Sequence, residues 1–205
     1  MIFHNSFDEI FSSRSNIAVL RVLQDTAISK TGREIARLTG ISPKTCLISL
    51  TSLENFSIVK RQRGGRDHLF SLNREHLLVS EGILPILSLE RDFLKCLNKF
   101  ISDKLNKYSE SIILFGSVSR KEETTQSDLD LCLIYSSENE KIKLEETINK
   151  ISKEVHNKFG ANIAPFYISQ TEFKKRALNK KPPVSEIIKE GIVLKGSSIK
   201  ELING

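Results

Sequence analysis

Two aspartates separated by one residue, Asp128 and Asp130, stand at the start of a short apolar run. In a strand, side chains two residues apart point to the same face, so the two carboxylates should lie side by side. Parallel carboxylates repel each other unless a cation lies between them. A hard divalent ion with oxygen ligands, above all Mg²⁺, meets that need. The spacing therefore predicts a magnesium site held by this pair.

A second chemical feature, Gly116-Ser117, follows the apolar run 112–115 and precedes the aspartate pair by ten intervening residues. An apolar run followed by Gly-Ser is typical of a strand that ends in a turn. Glycine lets the backbone approach a ligand closely, and the N–H groups that open a following helix can bind phosphate oxygens. Each feature alone also fits an ordinary turn or two surface acids. Together, and in this order, they favour a site for a metal ion and a phosphate group.

This arrangement resembles the signature of the polymerase-beta-like nucleotidyltransferases in their minimal form, over about residues 89–194. The resemblance implies transfer of a nucleoside monophosphate from a nucleoside triphosphate (NTP), with release of pyrophosphate and with two Mg²⁺ ions when the enzyme is active. The residues to which it assigns roles are the catalytic and metal-binding Asp128 and Asp130 and the nucleotide-binding Gly116, Ser117 and Arg120.

The chain departs from this family at a third carboxylate, which the family places on a later strand. That strand is expected at residues 161–168, where the third acid aligns with Ala164 and the nearest polar residue on the same face is the neutral Asn162. In two-metal catalysis, one metal ion stabilises the attacking oxygen and the other stabilises the leaving oxygen. In this family the third acid completes the site of the metal ion that activates the attacking group. The sequence thus supports binding of Mg-NTP more strongly than transfer.

Length and composition set the class of protein. The 205 residues suffice for two small domains or one large one, and a composition of 39% hydrophobic and 27% charged residues indicates a globular chain. The net charge of +6 suits an anionic partner. The three cysteines form no CxxC pair, so neither zinc nor a disulfide framework is expected. No apolar run approaches 18 residues and no signal peptide is evident, so we expect a cytoplasmic protein without a membrane partner.

The first third of the chain carries several helix signals and one hairpin signal. Thr31 with Glu34 forms a capping-box pattern, Gly40 ends that helix, and Ser42-Pro43 begins the next. The predicted elements are helices at 2–13, 16–25, 31–39 and from 43 onward, then strands at 58–63 and 68–72 around a Gly-Gly turn. Over about residues 17–74 this order resembles a winged helix-turn-helix domain of the MarR and ArsR classes of regulators.

The resemblance implies that the hairpin is a wing whose cations contact DNA phosphates. The alternative is a solvated hairpin tip. Ile48 can touch a thymine methyl group but lacks the hydrogen bonds of the usual base-reading residues, so the wing is expected to carry most of the affinity. The predicted DNA-binding residues are Lys44, Thr45, Ile48 and Thr51 of the third helix and Lys60, Arg61, Arg63 and Arg66 of the wing.

The spacing of hydrophobic residues also predicts the secondary structure of the rest of the chain. The predicted elements are helices at 87–108, 138–159, 171–179 and 184–190, strands at 161–168 and 191–194, and a tail at 199–205. Ile142 is expected to face inward. His156 is expected on the helix surface and not as a catalytic base, because nothing nearby in the sequence orients it. The basic cluster at 174–181 fits either a solvated helix end or a surface for nucleotide or nucleic acid.

The sequence therefore predicts an α+β protein with a winged helix-turn-helix domain at 1–80 and, at 81–205, an α/β nucleotidyltransferase domain with a small mixed sheet flanked by helices. One hypothesis is a prokaryotic regulator that binds double-stranded DNA and Mg-NTP. The other is a working nucleotidyltransferase that modifies a small molecule or a protein. Because some minimal nucleotidyltransferases adenylylate a HEPN toxin, a HEPN-type partner follows from the second. A regulator that reads two half-sites is expected to be a homodimer.

Overall fold

The computed structural model of the chain describes residues 4–204. These residues form two compact units that divide between Asp92 and Phe93, and each unit contains its own β-sheet. The predicted domain boundary near residue 81 stays a prediction, because a compact unit need not fold independently. Within residues 4–204, no helix combines the length and the apolar character needed to cross a membrane.

The N-terminal unit consists of helices, a short strand and a hairpin. In chain order its elements are α1 (Ser6–Ile10), α2 (Arg14–Gln24), β1 (Lys30–Thr31), α3 (Gly32–Thr39), α4 (Pro43–Asn55), β2 (Val59–Gly64) and β3 (Asp67–Leu72). The three strands form an antiparallel sheet in the order β1-β3-β2. The order α2, β1, α3, α4, β2, β3 is compatible with the predicted winged helix.

Local capping explains why α3 and α4 begin where they do. The Thr31 hydroxyl oxygen accepts a hydrogen bond from the Glu34 N–H, and the Glu34 carboxylate accepts one from the Thr31 N–H, so the predicted capping box is confirmed. Ser42 caps α4 in the same way, by accepting from the Thr45 N–H at 3.1 Å. Gly40 separates the two helices in the left-handed conformation, with φ 71°.

The C-terminal unit begins within a long helix. A π-helical turn (Val79–Ile83) leads into α5 (Leu84–Leu105), which starts in the first unit and ends in the second. The remaining elements are β4 (Ser111–Phe115), α6 (Gly116–Arg120), β5 (Leu129–Tyr135), α7 (Glu138–Phe159), β6 (Ile163–Ser169), α8 (Gln170–Leu178), α9 (Val184–Glu190), β7 (Ile192–Gly196) and α10 (Ile199–Asn204).

The sheet of this unit is mixed, as predicted, in the order β6-β5-β4-β7. Strands β5 and β6 are parallel, and the other two pairs are antiparallel. Each face carries its own core: Leu131 and Leu133 of β5 pack with residues of α5 and α7, whereas Cys132 and Ile134 pack with residues of α8, α9 and α10. Asp130 lies two residues before Cys132, so it belongs to the face that α8–α10 cover.

Several details differ from the sequence predictions. Ile142 is 53% exposed, because it precedes the buried Leu144 by two residues and therefore lies about 200° around the helix. The predicted tail contains α10, which buries Leu202 against the sheet. The predicted helix at 2–13 is observed as Ser6–Ile10, and its residues 2–3, like residue 205 of the tail, lie outside the described residues.

Candidate active site and nucleic-acid interface

The contact between Gly116 and Asp130 is the centre of the candidate active site. The Asp130 Cα pairs with that of Phe115 across β4 and β5, and Gly116 follows Phe115 as the first residue of α6. Gly116 has φ 73°, and a Cβ added to it would overlap the Asp130 carboxylate. Only glycine can hold its backbone this close to the acid. The predicted turn and the predicted acid pair therefore meet where β4 ends and β5 begins, at one end of the two central strands.

The two aspartates interact electrostatically. Asp128 is exposed immediately before β5, and Asp130 is half-buried within it. Burial raises the pKa of the Asp130 carboxyl, the nearby Asp128 carboxylate raises it further, and the Arg120 guanidinium opposes the rise. A bound cation would relieve this repulsion, and carboxylate oxygens are the ligands that Mg²⁺ prefers. The pair therefore fits one hard divalent ion.

The first turn of α6 offers donors for a phosphate group beside this acid pair. The first N–H groups of a helix have no acceptor within the helix. Ser117 is half-buried, and its hydroxyl forms no hydrogen bond within residues 4–204. The Ser119 hydroxyl, in contrast, donates to the Gly116 carbonyl oxygen at 2.8 Å and closes the turn.

Arg120 ends α6 and is held by two glutamates. Its Nε donates to Glu122 Oε2 at 2.8 Å and its Nη1 to Glu190 Oε1 at 2.5 Å. Hydrogen bonding to Glu122, together with the charge of Glu190, raises the pKa of Arg120. A nucleotide phosphate would therefore have to share or replace these carboxylates. Sequence reasoning missed Glu190, because it lies 70 residues from Arg120 and belongs to no motif.

The residue that was aligned with the family's third carboxylate, Ala164, lies next to the acid pair. Ala164 of β6 pairs directly with Asp130, and β6 contains neither Asp nor Glu. Across residues 4–204, no group of three or more His, Cys, Asp or Glu side chains is arranged to hold a metal ion. The observed pair fits one cation and does not by itself complete a two-metal centre.

The predicted DNA-binding residues lie on exposed parts of the winged helix. Lys44, Thr45, Ile48 and Thr51 are all exposed on α4, with Ile48 61% exposed. In the wing, Lys60 pairs with Glu75 at 2.6 Å and Arg61 with Glu54 at 3.0 Å. Arg63 and Arg66 are exposed at the hairpin end, and neither forms an ion pair within the described part of the chain.

The comparisons with known proteins support the C-terminal assignment. Residues 94–195 match the family model described as the nucleotidyltransferase domain. The C-terminal part of the chain therefore carries a nucleotidyltransferase domain. No curated protein matches the chain.

Among solved structures, two that are similar are mutants of the Lactococcus lactis protein ZitR. One is 15% identical and has a TM-score of 0.34, covering 69% of this chain and 74% of that one. The other, in its apo form, is 19% identical and has a TM-score of 0.33, covering 54% of this chain and 86% of that one.

The raised pKa of Asp130 predicts that this acid destabilises the metal-free protein. The ionised form costs free energy in the folded state, so the penalty is absent below the ordinary carboxyl pKa and complete above the raised one. We expect Asp130→Asn to raise the melting temperature at about pH 7, because the neutral amide avoids the cost of the partly buried charge. Calorimetry should show this gain shrinking toward about pH 3, where carboxyls are protonated. Glu146→Gln, an exposed change on α7, should have no such effect.

Proposed function

We propose that this protein is a DNA-binding regulator whose C-terminal domain binds Mg-NTP at Gly116, Ser117, Asp128 and Asp130, and that nucleotidyl transfer at this site is slow. The observation that carries the proposal is the placement of the Gly116 backbone against the Asp130 carboxylate. It brings phosphate-binding groups and metal-binding groups within the reach of one triphosphate.

The charges of the site support binding of a nucleotide together with its metal ion. A triphosphate alone would meet the Asp128 and Asp130 carboxylates, which repel it. Bound Mg²⁺ would supply the positive charge that joins the phosphates to both acids. The free Ser117 hydroxyl and the first N–H groups of α6 would then donate hydrogen bonds to the phosphate oxygens that the metal does not reach.

The residue that β6 contributes beside Asp130 supports the proposal that transfer is slow. The attacking oxygen of an acceptor needs its own stabilisation, which a third carboxylate and a second metal ion provide in two-metal enzymes. Ala164 stands beside Asp130 at that position and cannot ligate a metal. Binding and transfer are therefore separable, as they should be in a domain that senses a nucleotide.

Nucleotide binding is tested by calorimetric titration of ATP and of GTP, with Mg²⁺ and with EDTA. We expect binding that requires Mg²⁺ and that weakens at least about tenfold, about 1.4 kcal/mol, in Asp128→Asn and in Asp130→Asn. Glu146→Gln is the matched control, because it removes one exposed carboxylate outside the site. Binding that persists in EDTA, or in both aspartate variants, would contradict the proposed site.

Transfer should respond to the residue at position 164. We expect Ala164→Asp to raise the rate at which ATP is converted to AMP and pyrophosphate, at least about tenfold, because the new carboxylate completes the metal ligands beside Asp130. Ala164→Asn is the control, since it has nearly the same size without the charge. Equal rates in the two variants would show that the missing acid does not limit transfer.

The N-terminal unit supports the DNA-binding part of the proposal. Its wing ends in Arg63 and Arg66, two exposed guanidinium groups without ion-pair partners among the described residues. The α4 residues predicted to contact DNA include Lys44 and two threonines but no Arg, Asn or Gln. Such a surface is suited to phosphate contacts with limited base readout.

DNA binding is tested by fluorescence anisotropy with a labelled random-sequence duplex at several salt concentrations. We expect Arg63→Ala/Arg66→Ala to weaken binding and to reduce the slope of log affinity against log salt by about 1.8, since each phosphate contact contributes about 0.9. Lys150→Ala/Lys153→Ala removes the same charge from the exposed side of α7 and should leave the slope unchanged. Identical slopes in the two double variants would rule out the wing as the DNA contact.

A further inference from the structure

The ion pair between Arg120 and Glu190 joins two helices that are distant in the sequence. Arg120 is the last residue of α6, and Glu190 is the last residue of α9. Arg120 Nη1 donates to Glu190 Oε1 at 2.5 Å, while its Nε donates to Glu122 Oε2 at 2.8 Å. The binding site proposed above gives Glu190 no role, although this carboxylate directly contacts a cation of α6.

The two glutamates leave part of the Arg120 guanidinium available. A guanidinium group carries five N–H donors, and here one at Nε and one at Nη1 are in use. Nη2 forms no hydrogen bond within residues 4–204. A further anion can therefore bind at Nη2 while both carboxylates keep their hydrogen bonds.

The guanidinium lies close to the candidate nucleotide site. Helix α6 has five residues, so Arg120 is about 6 Å along the helix axis from Gly116. Burial and the Asp128 charge raise the pKa of the Asp130 carboxyl, and the Arg120 guanidinium opposes that rise. Arg120 is thus within electrostatic reach of the acid pair that would hold the metal ion.

The core fixes the position from which Glu190 meets Arg120. Val184 and Ile187 of α9 are buried in the same cluster as Ile113 of β4. A Cβ added to Gly191 would overlap the Ile113 side chain and the Ile187 carbonyl oxygen, so the chain after Glu190 lies tightly against β4. Strand β4 also leads directly into α6. Both partners of the ion pair are therefore anchored to one strand.

Burial favours an arginine that is shared between Glu190 and a phosphate. The Glu190 side chain is 21% exposed, against 64% for Glu122. Moving Arg120 away from Glu190 would leave a largely buried carboxylate without its partner, which costs free energy. Binding at Nη2 avoids that cost. It also uses a side chain whose rotamer freedom is already lost before the ligand arrives.

We propose that Glu190 is a positioning residue of the nucleotide site: it holds Arg120 so that Nη2 donates to a phosphate oxygen of bound Mg-NTP while the ion pair stays intact. The inference rests on the proposed binding of Mg-NTP. It adds a residue from α9 that acts on the nucleotide only through Arg120.

The test is calorimetric titration of Mg-ATP into the full chain carrying Glu190→Gln or Glu190→Met. The two variants are alike in charge and similar in length, but only glutamine keeps a strong acceptor for Nη1. We expect Glu190→Gln to bind Mg-ATP about fivefold more tightly than Glu190→Met, the effect of fixing one flexible side chain before binding. In an Arg120→Ala background the two should bind equally. Glu186→Gln, an exposed change on α9, should match the wild type.

Thermal unfolding confirms that each variant is folded, and the outcomes separate this inference from the proposed function. Equal affinities of Glu190→Gln and Glu190→Met, or tighter binding by Glu190→Met, would overturn the positioning role while the wild-type site stands. A difference that persists in the Arg120→Ala background would assign Glu190 a role in the fold and also overturn the inference. If the wild type does not bind Mg-ATP, the proposed function fails first, and the inference fails with it.

Discussion

The packing of a glycine backbone onto a carboxylate is the constraint on which the site depends. Gly116 must adopt φ 73° and must lack a Cβ, because Asp130 occupies the space a side chain would fill. That contact requires the register in which Phe115 pairs with Asp130. The apolar residues of β4 and β5 hold this register by burying both faces of the sheet. The core therefore positions two polar features that are distant in the sequence.

The electrostatics of the site follow from this packing. Asp128 and Asp130 are close enough to raise the pKa of Asp130, and Arg120 compensates only in part because two glutamates also engage it. The free site thus carries excess negative charge in a chain whose net charge is +6. A metal-bound nucleotide suits such a site better than free phosphate does. The wing, in contrast, exposes positive charge at Arg63 and Arg66.

The residue that β6 contributes beside Asp130 distinguishes this domain from the pattern of the family that it resembles. Ala164 pairs with Asp130 at the position where the family resemblance expects a third metal-binding carboxylate. In the proposed function, this alanine would leave the attacking oxygen of an acceptor without the ligand for a second metal ion. The domain would then bind a nucleotide and transfer it slowly. Long occupancy and slow turnover are properties that a regulatory domain can use.

The bounds of α7, the helix caps and the spacing of the acid pair were predictable from the sequence, because each depends on residues within a few positions of one another. The helix predicted at 138–159 is observed as Glu138–Phe159, and the Thr31–Glu34 capping box forms as its pattern indicated. The family resemblance aligned the missing third acid with Ala164, and the structure pairs that residue with Asp130.

The contacts of Arg120 with Glu190 and of His156 with Asn162 were decided only by the tertiary structure. They depend on how α9 meets α6 and on how the chain turns from α7 into β6. The same is true of the burial of Leu202 in a segment predicted to be a tail. Such contacts depend on which elements become neighbours in the fold, and residue spacing along the chain does not encode that.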